Sequence, residues 1–376
     1  MSDKSAIEWL NGGATWNVVR GCSRASRGCG EGRAGGCYAE RMAHRFSGPG
    51  KPYEGLTRLT ADGPRWTGEV RCVPEMMDLP IHWGKPRLIF VNSMGDLFHD
   101  DVPVDFIAQV FAVMALAPRH RFLVLTKRAR RMAQIVGDLG FRMMVQSIAQ
   151  RRGGDRGLTP SPVWPLPNVR IGVSVEDQAA ADARIPHLLS TPAAVRWLSC
   201  EPLLGHVNLR RVADPVNGGG YVLDALEGRR MTWENRVPDR QSMRSPVGRL
   251  DWIVVGGESG PRSRPMHPGW ARSLRTQCTS SARTVPFFFK AWRDWRPNPT
   301  PFACVRRRED AGQVVRWGES RVEAVAIPGD ANDDAGDAEL LQRVGKGAAG
   351  RALDGRTWDE MPERRVTPRP DETRKP

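Results

Sequence analysis

Short apolar runs bounded by turn residues recur along the chain, and several are followed by stretches with helical periodicity. This alternation is typical of a parallel sheet built from βα units. The predicted helices cover residues 38–46, 104–117 and 177–189, and another begins near Ala129. The predicted strands, in chain order, are 15–20, 87–93, 122–127, 169–175, 195–200, 250–255 and 285–290.

The order of these strands predicts the fold class. No hairpin signal such as Asn-Gly separates them, so the pattern favours an incomplete (β/α) barrel over a sandwich. An open doubly wound sheet is the alternative architecture. Against it, no G-x-G-x-x-G motif follows any predicted strand, and the usual dinucleotide fingerprint is therefore missing.

Changes in composition predict how the chain is divided. The barrel is expected over residues 1–295, with Gly-, Pro- and Arg-rich surface insertions at about 151–167 and 214–249. Residues 296–362 form a predicted C-terminal extension, within which 329–339 is acidic and is expected to be flexible. The last residues, 363–376, predict a disordered basic tail.

The net charge and the hydropathy of the chain indicate which partners and which compartment to expect. The chain has 56 Lys and Arg against 42 Asp and Glu, a formal charge of +14, which favours a polyanionic partner. A solvated surface in an Arg-rich protein is the alternative explanation. No apolar run approaches the roughly 20 residues of a membrane span, and the N-terminus lacks a signal-peptide pattern. We therefore expect a cytoplasmic protein without a membrane partner.

Three of the seven cysteines, Cys22, Cys29 and Cys37, cluster directly after the first predicted strand. In a cytosolic chain such a cluster indicates metal ligands or reactive thiols rather than disulfides. Three thiolates leave one iron of a [4Fe-4S] cluster without a protein ligand, and S-adenosylmethionine can bind that iron. The same thiols could instead hold zinc, with His44 as a fourth ligand, or bind no metal.

Polar residues follow every predicted strand. In a parallel barrel these positions share one face, so their repetition predicts a single polar pocket. The candidates, beyond the cysteine cluster, are Asn92, Ser93, Asp96, Lys127, Arg128, Ser174, Glu176, Cys200, Glu201, Glu258 and Lys290.

A set of short motifs runs in order along the chain: IEW at 7–9, ATWN at 14–17, CYAERMA at 37–43, VNSMGDLF at 91–98, LTKR at 125–128, GVSVE at 172–176, LSCEPL at 198–203, VGGESG at 255–260, FFK at 288–290 and GRALDGR at 350–356. These motifs resemble those of the phage three-cysteine-motif protein family, which is radical-SAM-like and of unknown function. In that family the second and third cysteines are two residues apart, whereas a glycine-rich stretch, 30–36, separates them here.

The resemblance implies a partial TIM barrel like that of radical-SAM enzymes such as spore photoproduct lyase, with the three cysteines holding the cluster. S-adenosylmethionine would then need acceptors for its ammonium group and its ribose, and a donor for its carboxylate. The expected binding residues are Asn92, Ser93 and Asp96 for the ammonium group, Ser174 and Glu176 for the ribose, and Lys127 or Arg128 for the carboxylate or a phosphate. Ordinary helix caps and ion pairs are the alternatives for each of these residues.

Four further residues are candidates for catalysis. Glu201 and Glu258 could do acid–base work, or could be ion partners of Lys127, Arg128 or Lys290. Cys200 could donate a hydrogen atom to a substrate radical, or could be a packed core thiol. The leading prediction from sequence is therefore a radical-SAM-like enzyme that modifies or repairs nucleic acid or nucleotides and is served by a reductant protein.

Two other functions stay open. One is a non-catalytic, zinc-stabilised scaffold that binds nucleic acid or protein, and the other is a radical enzyme acting on a peptide or small molecule. A nucleic-acid backbone could be gripped by the basic insertion around Trp233, or by Lys127, Arg128, Arg130 and Arg131, with exposed aromatic rings stacking on unpaired bases.

Overall fold

The structure is a computed structural model that describes residues 5, 7–31, 34–158, 163–215, 220–232, 248–297, 314–317, 322–327 and 339–362. Its strands, in chain order, are β1 (Ala14–Trp16), β2 (Val19–Arg20), β3 (Thr57–Thr60), β4 (Gly63–Trp66), β5 (Arg71–Cys72), β6 (Leu88–Val91), β7 (Arg121–Thr126), β8 (Val169–Ser174), β9 (Val195–Cys200), β10 (Val212–Ala213), β11 (Tyr221–Asp224), β12 (Arg229–Thr232), β13 (Trp252–Gly256), β14 (Phe287–Ala291), β15 (Trp295–Pro297), β16 (Val314–Trp317), β17 (Val322–Ile327) and β18 (Glu339–Arg343).

The α-helices pack mainly on one face of the largest sheet. They are α1 (Tyr38–His44), α2 (Leu79–His82), α3 (Val104–Leu116), α4 (Ala129–Gly137), α5 (Leu139–Gly154), α6 (Gln178–Ser190), α7 (Pro268–Thr279) and α8 (Lys346–Ala349). None of the helices in the described part of the chain is both long enough and apolar enough to cross a bilayer.

The largest sheet has seven strands in the order β1-β6-β7-β8-β9-β13-β14, and each neighbouring pair is parallel. Helices follow β6, β7, β8 and β13, as expected for βα units. The sheet curls into a half-barrel, which confirms the prediction of an incomplete (β/α) barrel at this level. All of the predicted sheet strands are present, with small shifts at their ends.

Side chains alternate between the two faces of this sheet, and both faces are apolar. On β9, Leu198 packs on the helix side, whereas Trp197 packs on the inner side with Trp252 and Phe90. Burial on both faces is what makes these strands read as continuous hydrophobic runs. The inner aromatic cluster fills the curl beneath the carboxyl edge of the sheet.

The two ends of the described chain cover the open side of the half-barrel. Trp9 packs against Phe90 at 5.0 Å and Trp197 at 5.4 Å between ring centroids, inside the curl. Asp359 bridges to Phe288 on edge strand β14, and the indole of Trp252 donates to the carbonyl of Glu360 at 2.9 Å. The last described segment of the predicted C-terminal extension is therefore part of the barrel's wall.

The expectation that no hairpin interrupts the strands is wrong. Antiparallel pairs join β2 to β5 and β3 to β4. Two larger antiparallel sheets have the strand orders β10-β11-β12 and β15-β18-β17-β16. The β3–β4 hairpin is turned by Ala61 and Asp62, just before Gly63, so an Asp-Gly signal was present in the sequence. It was obscured because the flanking strands are polar rather than alternating.

Three boundaries also differ from the prediction. The expected first strand is two strands, β1 and β2, and the helix near Ala129 is two helices, α4 and α5. The predicted insertion at 151–167 begins inside helix α5, which continues to Gly154. The insertion at 214–249 contributes β11 and β12, whereas residues 233–247, with Trp233, lie outside the described residues, as do 329–338 and the tail 363–376.

Candidate functional site

The cysteine loop, residues 21–37, leaves β2 and runs across the carboxyl edge of the half-barrel. At its start Gly21 pairs with Gly95 in a parallel bridge. Asn92, at the end of β6, accepts hydrogen bonds through Oδ1 from the backbone N–H groups of Val18 at 3.0 Å and Val19 at 3.1 Å. The Nδ2 of Asn92 is buried and has no hydrogen-bond partner among the described residues.

Asp96 and Arg128 hold the first cysteine. Buried Asp96 accepts from the Thr126 hydroxyl at 2.7 Å and from Nη1 of Arg128 at 3.0 Å. The guanidinium of Arg128 also donates to the Ser23 hydroxyl at 2.7 Å, and its Nη1 lies 3.7 Å from Sγ of Cys22. Asp96 therefore positions a cation beside the first thiol of the cluster.

Glu176 holds the middle of the loop. Its buried carboxylate pairs with Lys127 and with Arg184 at 2.8 Å, and it accepts from the Ser26 hydroxyl at 2.9 Å. Burial alone would raise the pKa of Glu176, but Lys127 and Arg184 lower it to about 2. A Cβ at Gly28 would lie 2.3 Å from Oε1 of Glu176, so only glycine allows the loop to approach this closely.

Glu258 holds the last part of the loop. It forms a two-point ion pair with Arg264, with both N–O distances 2.8 Å, and accepts from the backbone N–H of Gly36 at 3.2 Å. Arg264 also donates to the carbonyl of Arg27 at 3.0 Å. A Cβ at Gly35 would lie 2.6 Å from Oε1 of Glu258, which explains why a glycine stands two residues before Cys37.

A further ion pair, which the sequence analysis did not predict, joins the loop to helix α1. Glu40 is 1 % exposed and accepts from Arg24 at 3.1 and 2.8 Å. Arg24 also donates to the carbonyl of Gly30 at 3.1 Å. Nothing in a single sequence marks these partners, because Arg and Glu are common and their pairing depends on how the loop folds back.

The thiols themselves influence one another. Burial, followed by the charge of Asp96, raises the pKa of Cys22 to about 12. Burial and the neighbouring Cys29 raise the pKa of Cys37 to about 11. Among the described residues, no three His, Cys, Asp or Glu side chains come close enough together to hold a single metal ion.

Lys290 and Glu201 form a separate pair on the inner side of the sheet. Their charged atoms are 2.8 Å apart, and the Ser199 hydroxyl donates to Glu201 at 3.3 Å. Burial lowers the pKa of Lys290, an effect that Glu201 partly opposes. The interpretation of Glu201 as an ion partner of Lys290 thus agrees with the geometry, whereas Glu258 pairs with Arg264.

Cys200 lies on the other face of the sheet. It is fully buried in the cluster between the sheet and the helices, and burial raises its pKa well above the ordinary value. The hydroxyl of Ser199, one residue earlier, reaches Glu201 instead. Because neighbouring strand residues point to opposite faces, Cys200 does not join the inner pair, and the structure places it as a core thiol.

The residues predicted to bind a cofactor differ in what they contact. Four of them form ion pairs and hydrogen bonds with one another or with the cysteine loop: Asp96, Lys127, Arg128 and Glu176. Ser93 donates to Oδ1 of Asn17 at 3.2 Å, and Ser174 is buried, with its carbonyl accepting from Arg184 at 2.7 Å. The structure brings these residues to one edge of the sheet, as the sequence predicted, and gives most of them a supporting contact there.

The fold and this site define a mixed α/β protein with a parallel half-barrel and a pinned cysteine loop at its carboxyl edge. Residues 4–362 match the family described as "Protein of unknown function (DUF5131)", and the chain belongs to that family. No curated protein and no solved structure matches the chain.

Proposed function

We propose that this protein is a radical-SAM-like iron–sulfur enzyme that acts on nucleic acid or nucleotides in a phage context. One observation carries the proposal: three cysteines share a single loop that is held across the carboxyl edge of a parallel half-barrel. The carboxyl edge is where working residues sit in parallel barrels. The likeness of the motifs to those of phage three-cysteine-motif proteins, and of the half-barrel to the radical-SAM partial barrel, adds support.

The donor set is suited to iron. Cys22, Cys29 and Cys37 would be the ligands, each on a different iron, so the three sulfurs need not meet at one point. When bound, the cluster would supply the electron that cleaves S-adenosylmethionine and starts radical chemistry. Arg128 contributes a positive charge beside Cys22, and such a charge favours the thiolate that iron requires.

Three of the predicted site residues, two from the cofactor set and one from the catalytic set, have a positioning role in this proposal. Asp96, Glu176 and Glu258 each bind a cation of the chain and, directly or through it, the cysteine loop. This arrangement would keep the loop in place without a bound metal. The Nδ2 of Asn92, which has no partner among the described residues, is a buried donor that a bound cofactor could use.

Lys290 and Glu201 supply acid–base chemistry in this proposal. Burial makes Lys290 a stronger acid than a free lysine, and Glu201 lies at hydrogen-bond distance to share its proton. Such a pair can deliver or remove a proton at a substrate that reaches the inner side of the barrel. The formal charge of +14 supports a polyanionic substrate over a neutral one.

The experiment is the iron, sulfide and zinc content of the protein purified without oxygen. We expect about four irons and four sulfides per chain. Cys22→Ala, Cys29→Ala and Cys37→Ala should each lose them, whereas Cys72→Ala, on β5 and outside the loop, should keep them. Stoichiometric zinc, or no metal after reconstitution with iron and sulfide, would show that the proposal is wrong.

A second measurement tests the chemistry rather than the metal. The reduced wild-type protein should cleave S-adenosylmethionine to 5′-deoxyadenosine and methionine, and Cys37→Ala should not. A protein that holds the cluster but never cleaves S-adenosylmethionine would contradict the radical mechanism.

A further inference from the structure

An open groove of about 480 Å³ lies beside the cysteine loop, between that loop and the β3–β4 hairpin. Arg24 and Ser23 line it at the loop, and Arg58 and Arg65 line it on the hairpin. Its wall has two acidic residues, Glu40 and Asp62. Glu40 is 1 % exposed and already accepts from Arg24. The accessible charge in the groove is therefore mainly positive.

The hairpin places two of these arginines directly opposite each other. Arg58 on β3 is the register partner of Arg65 on β4. Like charges in such a cross-strand pair repel and destabilise the hairpin. Arg65 has Glu40 at 3.9 Å, whereas exposed Arg58 has no ion partner within the described residues. A bound anion would relieve this repulsion.

Another guanidinium reaches the same hairpin. Arg262 donates to the backbone carbonyl of Asp62 at the turn. Helix α1 packs on the same hairpin and contributes Glu40 to the groove. Cations along an open groove are suited to binding the phosphates of a nucleic-acid strand.

Three of the four predicted grip residues do not offer such a surface. Lys127 pairs with Glu176, Arg128 pairs with Asp96, and Arg131 donates to the carbonyls of His99 and Val102. The charges and donors of these three residues are used inside the protein, and the fourth, Arg130, is exposed on α4. In the hairpin groove, by contrast, the exposed Arg58 faces an open space beside the cysteine loop.

We infer that the groove between the cysteine loop and the β3–β4 hairpin binds the phosphodiester backbone of a single-stranded nucleic acid, with Arg58 and Arg65 opposite each other as its phosphate contacts. Ser23, which adjoins Cys22, lines the groove, so a bound strand would lie next to the cysteine loop. A single strand fits this role because a base within a duplex is stacked and cannot enter a protein site. This inference rests on the proposed action on nucleic acid and names its substrate class.

The test is the fluorescence anisotropy of labelled single-stranded DNA and RNA oligonucleotides with the full chain, at a series of salt concentrations. Arg58→Glu should weaken binding roughly tenfold, and Arg58→Ala should lower the slope of log affinity against log salt by about 1. Unchanged circular dichroism and thermal melting would show that the variants fold.

Arg151→Glu is the matched control. Arg151 is exposed on α5, two residues before Gly153, which lies close to Leu116 at the end of α3, and so it lies at the opposite end of the barrel. It should leave affinity unchanged. Equal losses in the Arg58 and Arg151 variants, binding insensitive to salt, tighter binding of a duplex, or equal competition by polyglutamate would each overturn the inference.

The outcome is separable from that of the proposed enzyme, because binding needs neither iron nor S-adenosylmethionine. Groove-dependent binding by a protein that takes up no iron would support this inference and contradict the radical enzyme. A cluster that cleaves S-adenosylmethionine, in a protein whose oligonucleotide binding ignores Arg58, would overturn only the groove.

Discussion

Arg128 joins two charged or ionisable partners from different parts of the chain: its Nη1 lies 3.0 Å from Oδ2 of Asp96 and 3.7 Å from Sγ of Cys22. Asp96 follows β6, Arg128 follows β7, and Cys22 belongs to the loop after β2. One guanidinium thus couples two barrel strands to the cysteine loop. The loop's position depends on the barrel's own carboxyl edge.

Replacing Arg128 alone should destabilise the protein more than replacing Arg128 and Asp96 together. Arg128→Met leaves Asp96 buried without its partner, and we expect a loss of about 3–5 kcal/mol in the free energy of unfolding. Adding Asp96→Asn should restore part of that loss, because the buried charge is gone. Urea denaturation of both variants measures this. Arg130→Met, at an exposed position, is the control, and simple additivity of the two substitutions would contradict the coupling.

Glu176 should make stability depend on pH in the acid range. Its pKa is lowered from the ordinary value of 4.5 to about 2 in the folded chain, so the unfolded chain binds more protons between these values. The stabilisation by Glu176 is therefore present above pH 4.5 and is lost as the pH falls toward 2. Urea midpoints measured across this window should fall more steeply for the wild type than for Glu176→Gln. Parallel curves would show that Glu176 has no such role.

Gly28 should not tolerate a methyl group. In Gly28→Ala the new Cβ would lie 2.3 Å from Oε1 and 2.5 Å from Cγ of Glu176, so the loop or the ion pair must move. We expect a loss of about 1–3 kcal/mol in stability and easier proteolysis of the cysteine loop. Gly48→Ala is the matched control, since its nearest neighbour would be 3.9 Å away. Equal behaviour of the two variants in thermal melts and trypsin digests would contradict the close approach.

Cys200 should be unreactive in the folded protein. It is fully buried, and burial raises the pKa of its thiol, so little thiolate meets a reagent. Iodoacetamide followed by peptide mass spectrometry should modify half-buried Cys72 much faster than Cys200, and both should react once the chain is unfolded in urea. Rapid modification of Cys200 in the native protein would contradict its place in the core and reopen a role in catalysis.

The order of the barrel strands could be predicted from sequence because burial on both faces leaves a strong local signal. The run at 195–200 coincides with β9, and 122–127 differs from β7 by one residue at each end. The cysteine cluster was equally visible, since Cys22, Cys29 and Cys37 are close in the chain. The polar β3–β4 hairpin gave no comparable pattern, and so the groove beside it could not be foreseen.

What each charged residue binds was decided only by the tertiary structure. Glu176 and Lys127 were both identified as site residues, but their pairing spans 49 positions and follows from the neighbouring positions of β7 and β8. Glu258 meets Arg264 rather than Lys290 because the cysteine loop folds over β13. Hydrophobic periodicity is local and can be read along one segment. Ion pairing depends on distances between segments, and these distances are fixed only when the half-barrel has formed around its core.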